Sequence, residues 1–156
     1  MQEVRAVYDK TVTVFSRKKE GSDTIWYATV MEGTSFTATV AETVNAQARE
    51  QTGDNVRLVV RTEPESDGTV FVSGKEYLTP KAWNEADAIS DSFSLKSGSD
   101  FDFFVYGDYD EYNGAKDSEY MPNGFYQYMR KKYDHVYAIS HVALFTVLPH
   151  FEIGGR

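Results

Sequence analysis

The chain has 156 residues, 41% apolar and 26% charged, which suits one globular domain large enough to bury a core without metal or disulfide staples. It has no cysteine, which excludes disulfides and zinc–thiolate sites, and its apolar runs fall well short of the ~20 residues of a membrane helix. A net charge of −8 argues against tight nucleic-acid binding, which needs clustered Lys and Arg to displace counterions, and the absence of a secretory leader pattern makes cytoplasmic synthesis the expectation.

Glu3 to Ser16 alternates around Val4, Ala6, Tyr8, Val12 and Val14, a period of two that predicts β-structure. Arg17-Lys18-Lys19 follows and reads as a solvated cap before a turn at Glu20–Asp23. Thr24–Met31 is a second strand, broken at Glu32-Gly33-Thr34, and Phe36, Ala38 and Val40 share one face of a third. Glu42–Gly53 reads as a polar loop.

Asn55–Thr62 is the clearest strand, with Val56, Leu58 and Val60 on one face and Arg57 and Arg61 on the other. The turn Glu63–Gly68 and a returning strand Thr69–Ser73 make a hairpin with a long acidic tip. Lys81–Asn84 is expected as a short ordered connection, and Phe93–Leu95 as a short strand. Phe101–Tyr106 is a strand with alternating aromatic faces.

Asp108–Asn123 reads as an irregular, solvated acidic loop. Gly124–Tyr133 carries Phe125, Tyr128, Met129 and Lys132 at helical spacing and predicts one short amphipathic helix, its C-terminus favourable for Arg130-Lys131-Lys132. The closing segment supplies two more strands, Val136–Val142 and Phe151–Ile153, and so apolar an ending is expected to be tied into the fold. The expected fold is mainly β: a single antiparallel β-barrel or small sandwich over 1–156, with long loops, one short helix and an insertion around 107–134.

Few residues suggest chemistry. Asp108, Asp110 and Glu119 occupy the first, third and twelfth places of a calcium loop, but Tyr112 holds the fifth place and the glycine comes one residue late. That pattern is a weak metal candidate beside the simpler reading of an exposed acidic loop. Of the histidines His135, His141 and His150, the first two lie about 20 Å apart on an extended strand and cannot meet at one ion unless it folds back, so structural roles are expected, with His150 fixing the last strand by a hydrogen bond. No nucleophile elbow or phosphate loop is present, so no enzyme and no cofactor is expected. The 11 Tyr and 10 Phe suit subunit contacts.

Val12-Thr13-Val14-Phe15 with Trp26-Tyr27-Ala28-Thr29-Val30 resembles the opening of small virion proteins from tailed phages and prophages. Asn55–Val60, followed by Tyr77-Leu78-Thr79-Pro80 and Trp83, is similar to their middle section. Ile139-Ser140-His141-Val142 and Leu148-Pro149-His150-Phe151-Glu152-Ile153-Gly154-Gly155 are similar to their terminal strand pair, with Phe151 where Trp is more usual. The resemblance implies a head–tail connector (stopper-like neck) or minor capsid protein. Such a subunit sits in a dodecameric or hexameric ring around the DNA exit channel, with adaptor or portal on one side and tail on the other, and with neither membrane contact nor sequence-specific DNA binding. It further implies that Ala41–Asp54, Glu63–Gly68 and Asp108–Asn123 gate or dock. Glu63, Glu65, Asp67, Asp108, Asp110 and Glu111 are the candidate channel or docking residues. The alternative is a monomeric small-molecule or carbohydrate-binding β module, in which Trp26, Trp83 and the Tyr-rich loop stack on a ligand.

Overall fold

The computed structural model describes residues 8–38, 56–87 and 89–156. The expected loop at Ala41–Asp54, and the strand residues before Tyr8, lie outside them.

Two long strands, β1 (Lys10–Glu20) and β2 (Asp23–Ala38), form an antiparallel hairpin through the turn at Gly21-Ser22. Gly33, at φ +67, accommodates a bulge where the register slips between Lys10 and Val12. The predicted break at Glu32–Thr34 is therefore a bend inside one continuous strand. The extra residue changes which face the side chains reach, so Trp26 and Ala28 pack outside the barrel while Phe36 packs against its interior.

The barrel closes through β3 (Val56–Arg61), β8 (Phe103–Tyr106), β10 (Val136–Phe145) and β11 (His150–Gly155). Its antiparallel order is β1-β8-β10-β11-β3-β2, with β2 returning to β1. The C-terminal strand lies between β10 and β3, as its apolar character predicts. Gly155 is required where it stands, because a Cβ there would lie 2.7 Å from Val56 Cγ2 and 3.0 Å from both Phe104 and Tyr137.

Short strands β4 (Glu63–Pro64), β5 (Val70–Val72), β6 (Lys75–Tyr77) and β7 (Ser92–Phe93) form a second sheet, with β6 and β7 parallel. It packs on the barrel core through Tyr77 and Phe93 against Phe151. Between β6 and β7, helix α1 (Pro80–Glu85) replaces the connection expected there. Thr79 caps it by accepting from Ala82 N–H at 3.2 Å, and Pro80 begins it. The second helix, α2 (Phe125–Lys132), falls where the spacing predicts it.

Two apolar layers result. The barrel interior joins Val12, Val14, Met31, Leu58, Phe104, Ile139 and Phe151. An outer aromatic layer joins Phe15, Trp26, Phe103, Phe125, Met129 and Val136 beneath α2. Strand β8 serves both, since Phe104 points inward while Phe103 and Val105 point outward, and all three are buried. The alternation in Phe101–Tyr106 is real, with an apolar partner on each side.

Candidate functional site

The insertion after β8 is not the irregular solvated loop that its acidity predicts. It has short 3-10 turns at Asp110–Tyr112 and Asp117–Tyr120, joined by β9 (Ala115–Lys116), which pairs with the start of β2. Asp117 anchors it, accepting from Trp26 Nε1 at 2.8 Å and from Phe125 N–H at 2.9 Å, so that it also caps α2. Asn113 Oδ1 accepts from Ala28 N–H at 2.8 Å, and Ser118 donates to Asp23 at 2.6 Å. Tyr109, Tyr112 and Tyr120 pack on the outer aromatic layer, while Asp108, Asp110 and Glu111 stay exposed.

The calcium-loop residues are not brought together. Asp108 accepts from Asp110 N–H within its own turn, and Glu119 accepts from Lys116 N–H at 3.2 Å. Among the described residues no group of three His, Asp or Glu side chains is arranged to hold a metal. Glu63, Glu65 and Asp67 form the exposed tip of the second sheet's hairpin, which Asp67 tightens by accepting from Thr69 N–H at 3.0 Å. That bond holds the Asp67 carboxyl below its ordinary range. The tip and the insertion thus both present exposed carboxylates.

The β10–β11 hairpin carries a second kind of surface. Leu144, Phe145, Val147 and Leu148 are exposed at its end, the last two at 83%. Its base is braced: His150 Nδ1 lies 2.6 Å from Leu148 O, His150 Nε2 lies 3.0 Å from Glu152, and Arg57 pairs with Glu152 at 3.0 Å. Phe145 stacks on the His150 ring at 4.8 Å, and Thr62 N–H donates to Pro149 O. The bond to the Leu148 carbonyl, and then the one to Glu152, raise the His150 pKa above its ordinary 6.5. His150 thus fixes the last strand, as its position suggests.

The third surface is one the sequence reading misplaced. Of Arg17-Lys18-Lys19, expected as a solvated cap, only Lys19 is exposed. Helix α1 packs on β1, Trp83 Nε1 donates to Arg17 O at 2.7 Å, and Lys18 is buried with its ammonium on Trp83 O at 2.8 Å. The Arg17 guanidinium lies 4.7 Å from the Trp26 ring centroid and 5.2 Å from that of Phe101. Behind it, Asp102 is fully buried and accepts from Arg17 N–H, Lys96 N–H and Lys96 Nζ at 2.8–2.9 Å. Burial pushes Asp102 up to about 7 and pulls Lys96 down, so desolvation outweighs their attraction in both partners. A cavity of about 210 Å³ opens here, lined by Arg17, Lys18, Lys19, Asn84, Lys96 and Asp100.

Trp26 and Trp83, offered above as stacking platforms, are 1% and 0% exposed and have committed indole N–H groups. They are core residues. The cationic cavity was legible only in part. Thr79-Pro80 is a helix-start signal that would have predicted α1, but nothing local joins Lys96 and Asp102 to residue 17.

No curated protein and no solved structure matches the chain. Residues 7–156 match a family of unknown function, DUF6751, and the chain belongs to that family.

Proposed function

We propose that this protein is a structural virion subunit that assembles into a ring at the head–tail junction of a tailed phage or prophage, around the channel by which DNA leaves the head. The observation that carries the reading is the braced hairpin tip with Leu144, Phe145, Val147 and Leu148 exposed. Scattered apolar side chains are ordinary on any surface, but four within five positions on a stiff projection suit insertion into a neighbour. A projection that enters a different patch on the next copy makes a heterologous contact, and such contacts close into rings.

The tip belongs to the strand pair whose Ile139–Val142 and Leu148–Gly155 motifs carry the likeness to connector proteins. The exposed acidic stretches Glu63–Asp67 and Asp108–Glu111 are the candidate docking or channel-facing surfaces in this reading. A net charge of −8 suits a lumen along which a duplex slides without sticking. The alternative of an aromatic ligand platform is weakened by the burial of both tryptophans.

Mass photometry and negative-stain microscopy of the purified protein, alone and mixed with virion extract, test the proposal. Rings, or incorporation at particle necks, are expected. Val147→Ser with Leu148→Asn should abolish both while leaving the monomer's melting temperature within the small range of surface changes. Asparagine suits position 148 because Leu148 sits at φ +52. A monomer that ignores particles, or assembly unchanged in the double variant, would overturn the reading.

A further inference from the structure

The chain carries 24 acidic against 16 basic residues, yet the walls of the cavity beside α1 reverse that balance, with Arg17, Lys18, Lys19 and Lys96 facing one lining carboxylate, Asp100. Buried charges are normally paired, and here the pairing is incomplete. Lys18 is 8% exposed, and among the described residues its ammonium meets neutral partners, Trp83 O at 2.8 Å, Asn84 O at 3.4 Å and the Trp83 ring at 5.9 Å. Arg17 is held by aromatic faces, its buried Nε makes no hydrogen bond, and its one ion pair among the described residues, with Asp100 at 3.8 Å, is too long to be hydrogen-bonded. That carboxylate is itself 79% exposed and screened by water.

Asp102 is the single buried acid of the cluster, and its lone pairs are taken by Lys96 and two backbone N–H groups. Of the Arg17, Lys18 and Lys96 cations, only Lys96 bonds that interior carboxylate. The proximity is felt electrostatically, because Arg17 and Lys18 both help to lower the Lys96 pKa, after burial itself.

We infer that this cavity is a binding site for a small tetrahedral oxyanion of the phosphate class, with the Arg17 guanidinium as its principal donor and Lys19 closing its mouth. The Trp26 and Phe101 rings contact the guanidinium without accepting hydrogen bonds from its N–H groups, and a guanidinium with free donors suits the forked recognition of two oxyanion oxygens. Lys18 and Lys96 supply positive potential from behind, each already anchored by its own acceptor. The bound anion would neutralise charge that the fold leaves uncompensated. The site does not depend on the neck assignment, since a monomer would hold it equally.

Thermal melting and calorimetric titration of the intact protein with sodium phosphate, against sodium chloride at matched ionic strength, read the site directly. Phosphate should raise the melting temperature along a saturating curve that chloride does not reproduce. The general stabilisation that phosphate gives any folded protein rises without saturation and is indifferent to single surface variants. Arg17→Gln should weaken phosphate affinity by about tenfold or more. Because Arg17 also packs on aromatic rings, the exposed Lys19→Gln is the companion variant. It should weaken affinity by about threefold with ligand-free melting unchanged, and Lys131→Gln should change nothing. Phosphate acting no better than chloride, or saturation curves that coincide in wild type and Lys19→Gln, would overturn the assignment.

Discussion

Arg17-Lys18-Lys19 and Arg130-Lys131-Lys132 are the same three residues in the same order, placed in opposite surroundings. The first lies on a strand, where successive side chains take opposite faces, so Lys18 is driven under α1 while Lys19 stays in water. The second closes α2, where all three reach solvent near the helix's partial negative end. There Arg130 donates to the Tyr126 hydroxyl at 2.7 Å and Lys132 to that of Tyr128 at 3.1 Å, each one turn back. The electrostatic consequences run in opposite directions. Hydroxyls of Tyr128 and Tyr112 raise the pKa of Lys132, whereas burial lowers that of Lys96 beside the first triplet. A basic triplet is thus a surface feature or part of an interior network according to what packs over it.

The sharpest way to break this comparison is to remove the acid behind the first triplet. Asp102→Ala should cost about 3–5 kcal/mol, because Lys96 and two backbone N–H groups lose their shared acceptor. Chemical denaturation measures it, and a loss within the range of a surface change would mean the network is not closed as described.

Next comes the pH dependence of the same acid. Its pKa is about 7 in the fold against an ordinary 3.8, so between those values the folded chain holds a proton that the unfolded chain has released. Stability from this group is therefore highest below about pH 4 and is lost as pH rises to 7. Other carboxylates titrate too, so the informative quantity is the wild-type melting temperature minus that of Asp102→Asn. It should fall across this window, and a flat difference would show that Asp102 stays ionised throughout.

The smallest effect compares the triplets directly. Lys18→Met should cost about 1–3 kcal/mol, because the carbonyl oxygens of Trp83 and Asn84 lose their donor. Lys131→Met, on an exposed helix face, should lie within about 0.5 kcal/mol of wild type. Equal losses would erase the distinction between the two.

Much of the fold was readable because period and punctuation are local properties. Val56, Leu58 and Val60 alternate into the core as expected, α2 begins and ends near its predicted bounds, and the closing hairpin forms. The misreadings have a common origin. Glu32-Gly33-Thr34 looks like a strand end, yet partners on both sides of β2 carry the strand through it as a bulge. Asp108–Asn123 looks solvated because its acids are counted and its tyrosines are not, although Asp117 and the Tyr rings hold it to the outer layer. Lys81–Asn84 passes for a connection because a helix of six residues, under two turns, is too short to show a period.

By itself the sequence determined the class of the fold, the paired faces of its best strands, the amphipathic helix and the anchored last strand. Each follows from side chains that need water or its absence at a fixed spacing along the chain. Only the tertiary structure decided that Asp102, Lys96, Lys18 and Arg17 share one interior, and that Leu144–Leu148 stand outside one. Those facts depend on elements far apart in sequence meeting in space. A charged residue's burial is set by the partner that covers it, and no local pattern records that partner.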